Sequence, residues 1–158
     1  MEKNIDISSI GYLIAILYRY GNAYLDKILA PFNIGSAQAK ILLMLYKNNS
    51  LTQIELARTL RLDRGSITRS IKKLEKNHYI KRVRDEKDNR VYHLILTEKG
   101  RNIKHELCNI FLKWSDILLQ DFSDNERELI FNFLKKMIDR AENYLKKDYA
   151  RKIDNINF

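Results

Sequence analysis

Apolar residues with helical spacing dominate the N-terminal part of the chain. They recur in steps of three and four from Ile7 to Ala30, which predicts a long helix that ends at Pro31. The repeating positions are Ile10, Leu13, Ile14, Leu17, Gly21, Tyr24 and Ile28, and the stripe is widened by Tyr12, Ile16, Tyr18 and Leu25. This apolar face is broader than the surface of a monomer requires. A second helix is predicted from Ala37 to Lys47, with Ser36 as its cap.

Two shorter helices follow, and each begins at a capping signal. Asn48–Ser50 predicts a turn, after which Thr52 and Glu55 have the spacing of a capping box. The short helix that they open has four residues expected to face inward: Ile54, Leu56, Ala57 and Leu60. Asp63 is the predicted cap of the next helix, Arg64 to Lys76, which is expected to bury Ile67, Ile71 and Leu74. Its opposite face is basic.

Strand-like alternation then replaces the helical spacing. Tyr79 to Arg84 alternates apolar and basic residues, and Val91 to Leu96 is rich in residues that favour strands. The intervening DEKDN is typical of a turn, so the two segments predict a β-hairpin.

Two further helices are predicted after the hairpin. One begins at Thr97 and extends to about Gln120, and the other follows a capping box formed by Ser123 and Glu126. Each carries an apolar seam with coiled-coil spacing. The seam residues are Ile103, Leu107, Ile110, Trp114 and Ile117 in the first helix, and Ile130, Leu134, Met137, Ala141 and Tyr144 in the second. The charged tail from Lys146 to Phe158 receives no structural prediction.

The composition favours a helical protein with an anionic partner. The chain has 158 residues, five glycines, one proline and a formal net charge of +9. This length predicts about one domain, and so few helix-breaking residues predict a mainly α-helical fold. The excess positive charge attracts polyanions such as nucleic acid.

Several other classes of protein are disfavoured. The single cysteine, Cys108, excludes an internal disulfide, and the first residues do not resemble a secretory signal, so a cytoplasmic location is expected. Apolar runs such as Ile41–Tyr46 are far shorter than the ~20 residues of a membrane span, so no membrane partner is expected. No catalytic motif or phosphate-binding loop is present in the sequence, which predicts no enzyme activity and no cofactor. His105 and Cys108 supply at most half of a metal site, so no metal is predicted.

The positive charge is concentrated between Arg61 and Arg90. This segment holds eleven Lys and Arg residues against five Asp and Glu residues. It follows the order helix, turn, helix and hairpin, which is the order of a winged helix-turn-helix whose second helix enters the major groove of DNA. A basic face that is merely solvated is the alternative interpretation, and the order of the elements argues against it. The residues predicted to contact DNA are Arg64, Ser66, Thr68, Arg69, Lys72, Lys73, Arg84, Lys87 and Arg90.

Within this set, the chemistry of the side chains predicts different tasks. Arg64 and Arg69 can bind guanine edges with two hydrogen bonds each, whereas the short Ser66 and Thr68 let the helix lie close to the bases. Lys87 or Arg90, at the hairpin turn, can enter a narrow minor groove, where the negative potential is concentrated.

The same residues resemble the multiple antibiotic resistance regulator (MarR) family of winged-helix repressors. DEKDNRVYHLILTEKG, residues 85–100, is similar to the wing signature of that family, whose positions are filled by Asp88, Arg90, Leu96, Thr97, Lys99 and Gly100. SITRSIKKLEKNHYIKR resembles its recognition helix and the following strand, and SAQAKILLML resembles its second helix. The resemblance covers Ile10 to about Tyr144 and implies that Asp88 orients Arg90, which inserts into the minor groove. A departure is His78, which stands where the family usually has glycine.

A dimer is expected because two recognition helices, ~34 Å apart, read a pseudo-palindromic operator. The predicted organisation is a winged helix-turn-helix over residues 36–97, with residues 1–35 and 98–158 forming a helical dimerisation region. The broad stripe of the first helix and the seams of the last two would supply the interface. The alternative is that Trp114, Met137 and the tyrosines belong to an ordinary intrachain core.

The resemblance also implies regulation by a small phenolic or anionic effector. Arg19 is the candidate anchor, since it is a cation within an apolar and aromatic helix, and Tyr18, Tyr20 and Tyr12 are candidates to line the site. Alternatively, Arg19 extends into solvent or pairs with an acid across the dimer. Cys108 is either a peroxide sensor or, as its apolar neighbours favour, an inert thiol.

The sequence therefore predicts a homodimeric, sequence-specific DNA-binding regulator, most simply a repressor. Two alternatives remain open: a sequence-tolerant architectural DNA-binding protein, and a small enzyme in which the winged domain serves dimerisation or substrate binding. A ratio of specific to non-specific affinity of ~10³ or more distinguishes the regulator from the architectural protein. A constellation of titratable residues in a pocket would be needed for the enzyme.

Overall fold

The computed structural model describes residues 9–154, with side chains described for residues 9–146. The chain divides into two compact units, Met1–Ser115 and Asp116–Phe158. Helices account for most of the described residues, and the strands form one small sheet. The prediction of a mainly α-helical fold with a small β-wing is therefore confirmed, whereas the predicted domain boundaries stay a prediction.

The first unit contains the winged helix-turn-helix predicted over residues 36–97, here called the winged module, together with helices on either side of it. Its elements, in chain order, are α1 (Ile10–Leu29), a short 3₁₀ helix (Ala30–Phe32), α2 (Ser36–Asn48), β1 (Ser50–Thr52), α3 (Gln53–Leu60), α4 (Arg64–Lys76), β2 (Ile80–Arg84), β3 (Tyr92–Leu96), α5 (Glu98–Asn102) and the first part of α6 (Lys104–Leu119). Pro31 lies in the 3₁₀ helix, where its fixed backbone angle is tolerated. Because proline has no backbone N–H, α1 cannot continue through it.

The three strands form an antiparallel sheet in the order β1–β3–β2. Residues 80–84 of β2 pair with residues 92–96 of β3 in reverse order, from Ile80 opposite Leu96 to Arg84 opposite Tyr92. The short strand β1 pairs with the other edge of β3, with Ser50 opposite Ile95 and Thr52 opposite His93. Successive side chains of β3 therefore point in turn to the core side of the sheet and to its outer side.

One hydrophobic core holds the first unit together. It collects side chains from α1, α2, α3, α4, β2, β3 and α6, and its fully buried leucine and isoleucine residues include Leu29, Ile41, Leu42, Leu45, Leu56, Ile67, Ile71 and Leu74. At its edge, the ring of Trp114 stacks on that of Tyr24 at a centroid distance of 5.0 Å. Trp114 therefore has a contact within its own chain, and whether the apolar seams also pack across a dimer stays a prediction.

The second unit consists of the end of α6 and the long helix α7 (Asp124–Asp154). Ser123 caps α7: its hydroxyl oxygen accepts from the backbone N–H of Glu126, whose carboxylate accepts in return from Ser123. Up to residue 146, where side chains are described, most apolar side chains of α7 are exposed, including Leu129, Phe131, Phe133, Leu134, Met137, Ile138 and Tyr144. The unpredicted tail continues α7 as far as Asp154, and residues 155–158 lie outside the described part of the chain.

Some predicted boundaries were wrong. The first helix begins at Ile10, three residues later than predicted, because Ser9 is its cap; Ile7 itself lies outside the described residues. Gly35 rather than Ser36 caps α2, and the Gln38 side chain accepts a hydrogen bond from the Gly35 backbone N–H. The helix predicted from Thr97 to Gln120 is divided at Ile103, which ends α5.

One further prediction was too broad and another was wrong, because short elements carry a weak pattern. The turn predicted at Asn48–Ser50 is confined to Asn49, since Asn48 ends α2 and Ser50 begins β1. Ile54 was predicted to face inward but is 73% exposed. It lies two positions, about 200° around a helix, from the buried Leu56, so the two side chains cannot face the same core.

Among the described residues, no single helix is both long and apolar enough to cross a membrane. The segments Ile10–Phe32 and Ser36–Asn48 meet that test only when they are taken together, and they are bent by 79° at their junction.

Candidate nucleic-acid interface

Helix α4 presents the two faces that its sequence predicts. Ile67, Ile71 and Leu74 are completely buried, and they anchor the helix on the core. Arg64, Arg69, Lys72 and Lys73 are exposed, whereas Ser66 and Thr68 are half-buried. The burial of one face fixes which side chains the other face offers to a ligand. The predicted major-groove residues therefore share one helix, and its cations are open to solvent.

The N-terminus of α4 is capped by Asp63. The Asp63 carboxylate accepts from the backbone N–H of Ser66 at 2.8 Å, and hydrogen bonds from Ser66 hold the pKa of this carboxyl below its usual value. One turn later, the guanidinium of Arg69 donates to the Ser66 hydroxyl at 3.0 Å. Arg69 is thereby held close to the first turn of the helix, where Gly65 leaves room for it.

Two hydrogen bonds that the sequence did not reveal attach α4 to the neighbouring helices. The Gln53 side chain, on α3, donates to the Thr68 hydroxyl at 2.8 Å, and that hydroxyl donates to the Arg64 backbone carbonyl at 2.7 Å. The Gln38 side chain, on α2, donates to the buried Ser70 hydroxyl at 3.1 Å. Thr68 therefore has its donor occupied within the chain, and its part in the structure is to set the contact between α3 and α4. The sequence contained one sign of such a contact: Ser70 is a polar residue at a position of α4 that faces inward.

The wing begins with a connection between β2 and α4. Arg82 donates to the Glu75 carboxylate at 2.8 Å, which attaches the strand to the last turn of the helix. Arg84 donates to the Tyr92 hydroxyl at 3.0 Å, and its guanidinium lies 5.6 Å from the centre of that ring. Arg84 is exposed, but its orientation is set by the opposite strand of the hairpin.

Two aspartates organise the turn of the wing. The Asp85 carboxylate accepts from the backbone N–H groups of Lys87 and Asp88, at 2.8 and 2.9 Å. The Asp88 carboxylate accepts from the backbone N–H of Arg90 at 2.9 Å. Asp88 thus contacts the backbone of Arg90 in this structure, so that it shapes the turn from which the Arg90 side chain extends. Lys87 and Arg90 are both exposed at this turn.

The residues that follow the wing fix its base against α4. The Thr97 hydroxyl donates to the His78 carbonyl at 2.6 Å, and Lys99 donates to the Asn77 carbonyl at 2.9 Å. Gly100 lies against the Tyr79 carbonyl so closely that a Cβ atom would overlap with it. These contacts give a structural reason for each residue of the Thr-x-Lys-Gly motif.

His78 occupies the tight turn between α4 and β2. Its φ of 58° lies in the left-handed region that favours glycine. The resemblance placed a glycine at this position, and the backbone has kept the glycine-like conformation although the residue is histidine.

The predicted effector residues lie on α1 and do not form an enclosed site within one chain. Arg19, Tyr12 and Tyr18 are exposed, so the argument from a buried guanidinium does not apply to the single chain. Arg19 lies 5.9 Å from the centre of the Tyr20 ring. A second cation, Lys40 of α2, lies 4.6 Å from the centre of the Tyr18 ring and was not predicted.

Lys40 also donates to the Asn22 side chain at 2.9 Å. The pKa of Tyr18 is lowered by a hydrogen bond with Asn22 and by the charge of Lys40. Tyr18, Asn22 and Lys40 therefore form a cluster on α1 and α2 in which an anion would meet a positive charge.

Cys108 is half-buried on α6 and is a free thiol. Within the described part of the chain, no group of three or more His, Cys, Asp and Glu residues has the geometry of a metal site. The roles of Cys108 and of metals remain predictions from the sequence.

Known proteins that are similar to this chain are transcriptional regulators. The family model described as transcriptional regulator SarA/Rot matches residues 23–107. The HTH-type transcriptional regulator BilQ of Clostridioides difficile (strain CD3) is 30% identical over 131 residues, which are 82% of this chain and 88% of that protein. These relatives are transcriptional regulators rather than enzymes.

Solved structures of similar proteins extend the comparison to the whole module. A MarR transcriptional regulator from Methanosarcina mazei Go1 has a TM-score of 0.82 and 38% identity, with coverage of 85% of this chain and 97% of that one. A mutant MarR from E. coli, solved in complex with operator DNA, has a TM-score of 0.73 and 25% identity, with coverage of 84% and 95%. The chain belongs to the MarR/SarA family of winged helix-turn-helix transcriptional regulators.

Proposed function

We propose that the protein is a homodimeric, sequence-specific transcriptional repressor that acts in the cytoplasm. Its operator is pseudo-palindromic double-stranded DNA, with α4 in the major groove and the wing in the minor groove. The observation that carries this proposal is the division of α4 into a buried apolar face and an exposed cationic face, next to a wing that also exposes cations. This arrangement supplies both phosphate neutralisation and groups able to contact base edges.

The residues proposed to bind DNA have separate tasks. Arg64 and Arg69 contact bases in the major groove, Lys72 and Lys73 contact phosphates, and Arg90 enters the minor groove. The hydrogen bond from Arg69 to the Ser66 hydroxyl supports the task given to Arg69, because it holds the guanidinium beside the first turn of α4. Arg84 and Lys87 add positive charge along the wing, and Asp88 shapes the turn that carries Arg90.

A homodimer is supported by the apolar residues that a single chain leaves in solvent. On α1, Ile10, Leu13, Ile14 and Leu17 are exposed, and α7 exposes a longer series. Burial of such surfaces stabilises an association by roughly 25 cal/mol per Å² of apolar area before the costs of ordering. A second copy of the chain would bring two α4 helices to one operator, which a single copy cannot do.

An effector site is proposed on α1 for a small aromatic or anionic molecule. Arg19, Tyr18 and Tyr12 are the predicted residues, and the neighbouring positive charge of Lys40 supports an anion. Since these residues are exposed in one chain, an enclosed site requires the partner of the dimer. An effector bound at this site would release the operator if it stabilised a dimer in which the distance between the two α4 helices no longer matches the spacing of the major grooves.

Competition binding tests the central proposal. Genomic fragments protected by the protein in footprinting would be made as short duplexes and compared with scrambled duplexes at one salt concentration. We expect the protein to bind as a dimer with at least ~10³-fold preference for the protected duplex. A ratio close to unity would instead support a sequence-tolerant architectural protein, and a monomer bound at saturation would refute the dimer. Repeating the footprint with aromatic acids tests the effector proposal.

A further inference from the structure

A chain of three side chains crosses the outer side of the wing sheet. The Nε2 atom of His93, on β3, lies 2.9 Å from Oδ2 of Asp85, and its Nδ1 atom lies 3.1 Å from the Ser50 hydroxyl on β1. In the register of the sheet, Ser50 pairs with Ile95, so it is a diagonal neighbour of His93 on the same side. The histidine thus connects an edge strand to the wing.

Asp85 transmits this connection to the turn. One of its oxygens accepts from the backbone N–H groups of Lys87 and Asp88, while the other faces His93. The backbone of Asp85 also donates to the Val91 carbonyl at 3.0 Å, which closes the turn from the other strand. A change at His93 therefore reaches the backbone of the wing turn through a single carboxylate.

We propose that His93 is a positioning residue for the wing: through Asp85 it holds the β2–β3 turn in the conformation that binds DNA, and its protonation tightens that binding. The inference rests on the proposed function, because it concerns how the wing meets the minor groove. A protonated imidazole donates a charge-assisted hydrogen bond to a carboxylate, which is stronger than the bond of the neutral ring. The Ser50 hydroxyl can serve either ring state, since it donates to neutral Nδ1 and accepts from protonated Nδ1.

The side chain of His93 is open to solvent and lies among charged groups. The side chains of His93 and Asp85 are 32% and 31% exposed. The charged groups around this position are Arg84, Asp85, Glu86 and Lys87 in the wing and Glu55 at the start of α3. Three of these five groups are acidic. The pKa of Asp85 is lowered mainly by its hydrogen bond with His93, so Asp85 offers an ionised carboxylate to the imidazole.

The direction of the pH effect follows from these charges. Protonation of His93 strengthens the contact with Asp85 and adds one positive charge to the wing, which the proposed function places against DNA. Both effects favour the DNA complex at low pH, so the affinity falls as the pH rises through the titration of the imidazole. Because proton uptake and DNA binding are linked, DNA in turn favours the protonated ring.

Fluorescence anisotropy between pH 6 and pH 8, at constant ionic strength and with the footprinted duplex, tests the proposal. We expect wild-type affinity to be about three- to fivefold higher at pH 6 than at pH 8. The variant His93→Gln should lose this pH dependence. The matched control is His105→Gln, since His105 is an exposed histidine of α6 outside the wing, and it should keep the dependence. Equal pH profiles for wild type and His93→Gln would overturn the inference.

A second variant separates positioning from added charge. Asp85→Asn keeps His93 but removes the carboxylate, so the pH dependence should be reduced if His93 acts through Asp85. If Asp85→Asn keeps the full dependence, His93 acts on DNA directly and is not a positioning residue. In the wild type, the NMR amide signals of Lys87 and Asp88 should titrate with the same midpoint as the His93 ring, and pH-independent signals would refute the coupling. Failure of the protein to prefer the footprinted duplex at any pH would refute the proposed function instead.

Discussion

The winged module and α7 use the same spacing of apolar residues with opposite results. In α4, Ile67, Ile71 and Leu74 are 0% exposed, because α2, α3 and β2 pack against this helix within the same chain. In α7, Leu134 and Met137 have equivalent helical spacing but are 43% and 38% exposed. Periodicity therefore shows that a helix has a face to be covered, and it does not show which chain covers it.

The largest expected effect tests the intrachain side of this comparison. Ile71→Ala removes buried methyl groups from the interface of α4 with the core, and we expect it to lower the free energy of unfolding by about 2–5 kcal/mol. Urea denaturation followed by circular dichroism measures this loss. The adjacent Lys72 is exposed, so Lys72→Ala is the matched control and should change stability by less than about 0.5 kcal/mol. Similar losses for the two variants would show that α4 is not anchored by its apolar face.

The next effect tests the side of the comparison that one chain leaves exposed. Leu134→Asp places a charge on the apolar face of α7, which we expect to dissociate the proposed dimer. Analytical ultracentrifugation should then show a monomer, and the affinity for the operator should fall by roughly 100-fold or more, since two half-sites are no longer bound together.

Lys135→Ala provides the control for this variant, because Lys135 is the exposed neighbour of Leu134 on the same helix. It should leave both the dimer and the affinity nearly unchanged. If Leu134→Asp remains a dimer with full affinity, the exposed face of α7 does not serve self-association, and its apolar residues need another explanation.

The same comparison explains which parts of the fold could be predicted from the sequence. The caps Thr52, Asp63 and Ser123, the buried face of α4 and the hairpin follow from local patterns, and the structure contains all of them. Strand β1 could not be predicted, since it is only three residues long and forms by pairing with β3, which is distant in sequence. Ile54 was misplaced because an eight-residue helix offers too few turns to define a face.

The candidate site was predicted less completely than the fold. Its cations are visible in the sequence, because charge and order of elements are local properties. The contacts Gln53–Thr68 and Asp85–His93 join residues from different elements, so no spacing rule reveals them. The predicted effector residues illustrate the same limit, since whether Arg19 is enclosed depends on a second chain.

The next largest effect tests whether Arg69 and Arg90, both in the winged module, contact different parts of the DNA. Arg69→Ala should relax base preference at the centre of the operator half-site, at a cost of about 1–3 kcal/mol for the preferred base. Arg90→Ala should weaken binding by about fivefold on A·T-rich flanks and less on G·C-rich flanks, because the narrow minor groove attracts arginine. Anisotropy on a matrix of duplexes with varied centres and flanks measures both effects.

Lys73→Ala is a useful control for this pair, since an exposed phosphate-binding lysine should weaken all duplexes to the same extent and lower the salt dependence of binding. Uniform losses on every duplex for Arg69→Ala and Arg90→Ala would show that the two arginines do not read different parts of the DNA.

The smallest effect concerns the turn that joins α4 to the wing. His78 has a φ of 58°, and its side chain is exposed, so the histidine ring contributes little packing to offset the strain of the left-handed backbone. We expect His78→Gly to stabilise the protein by about 0.5–1 kcal/mol, because glycine adopts this conformation without a steric cost, although it also raises the entropy of the unfolded chain. The adjacent Asn77, with a φ of −87°, is the control, and Asn77→Gly should be neutral or destabilising. Urea denaturation measures both variants, and a His78→Gly protein no more stable than the wild type would show that histidine is accommodated in this turn without strain.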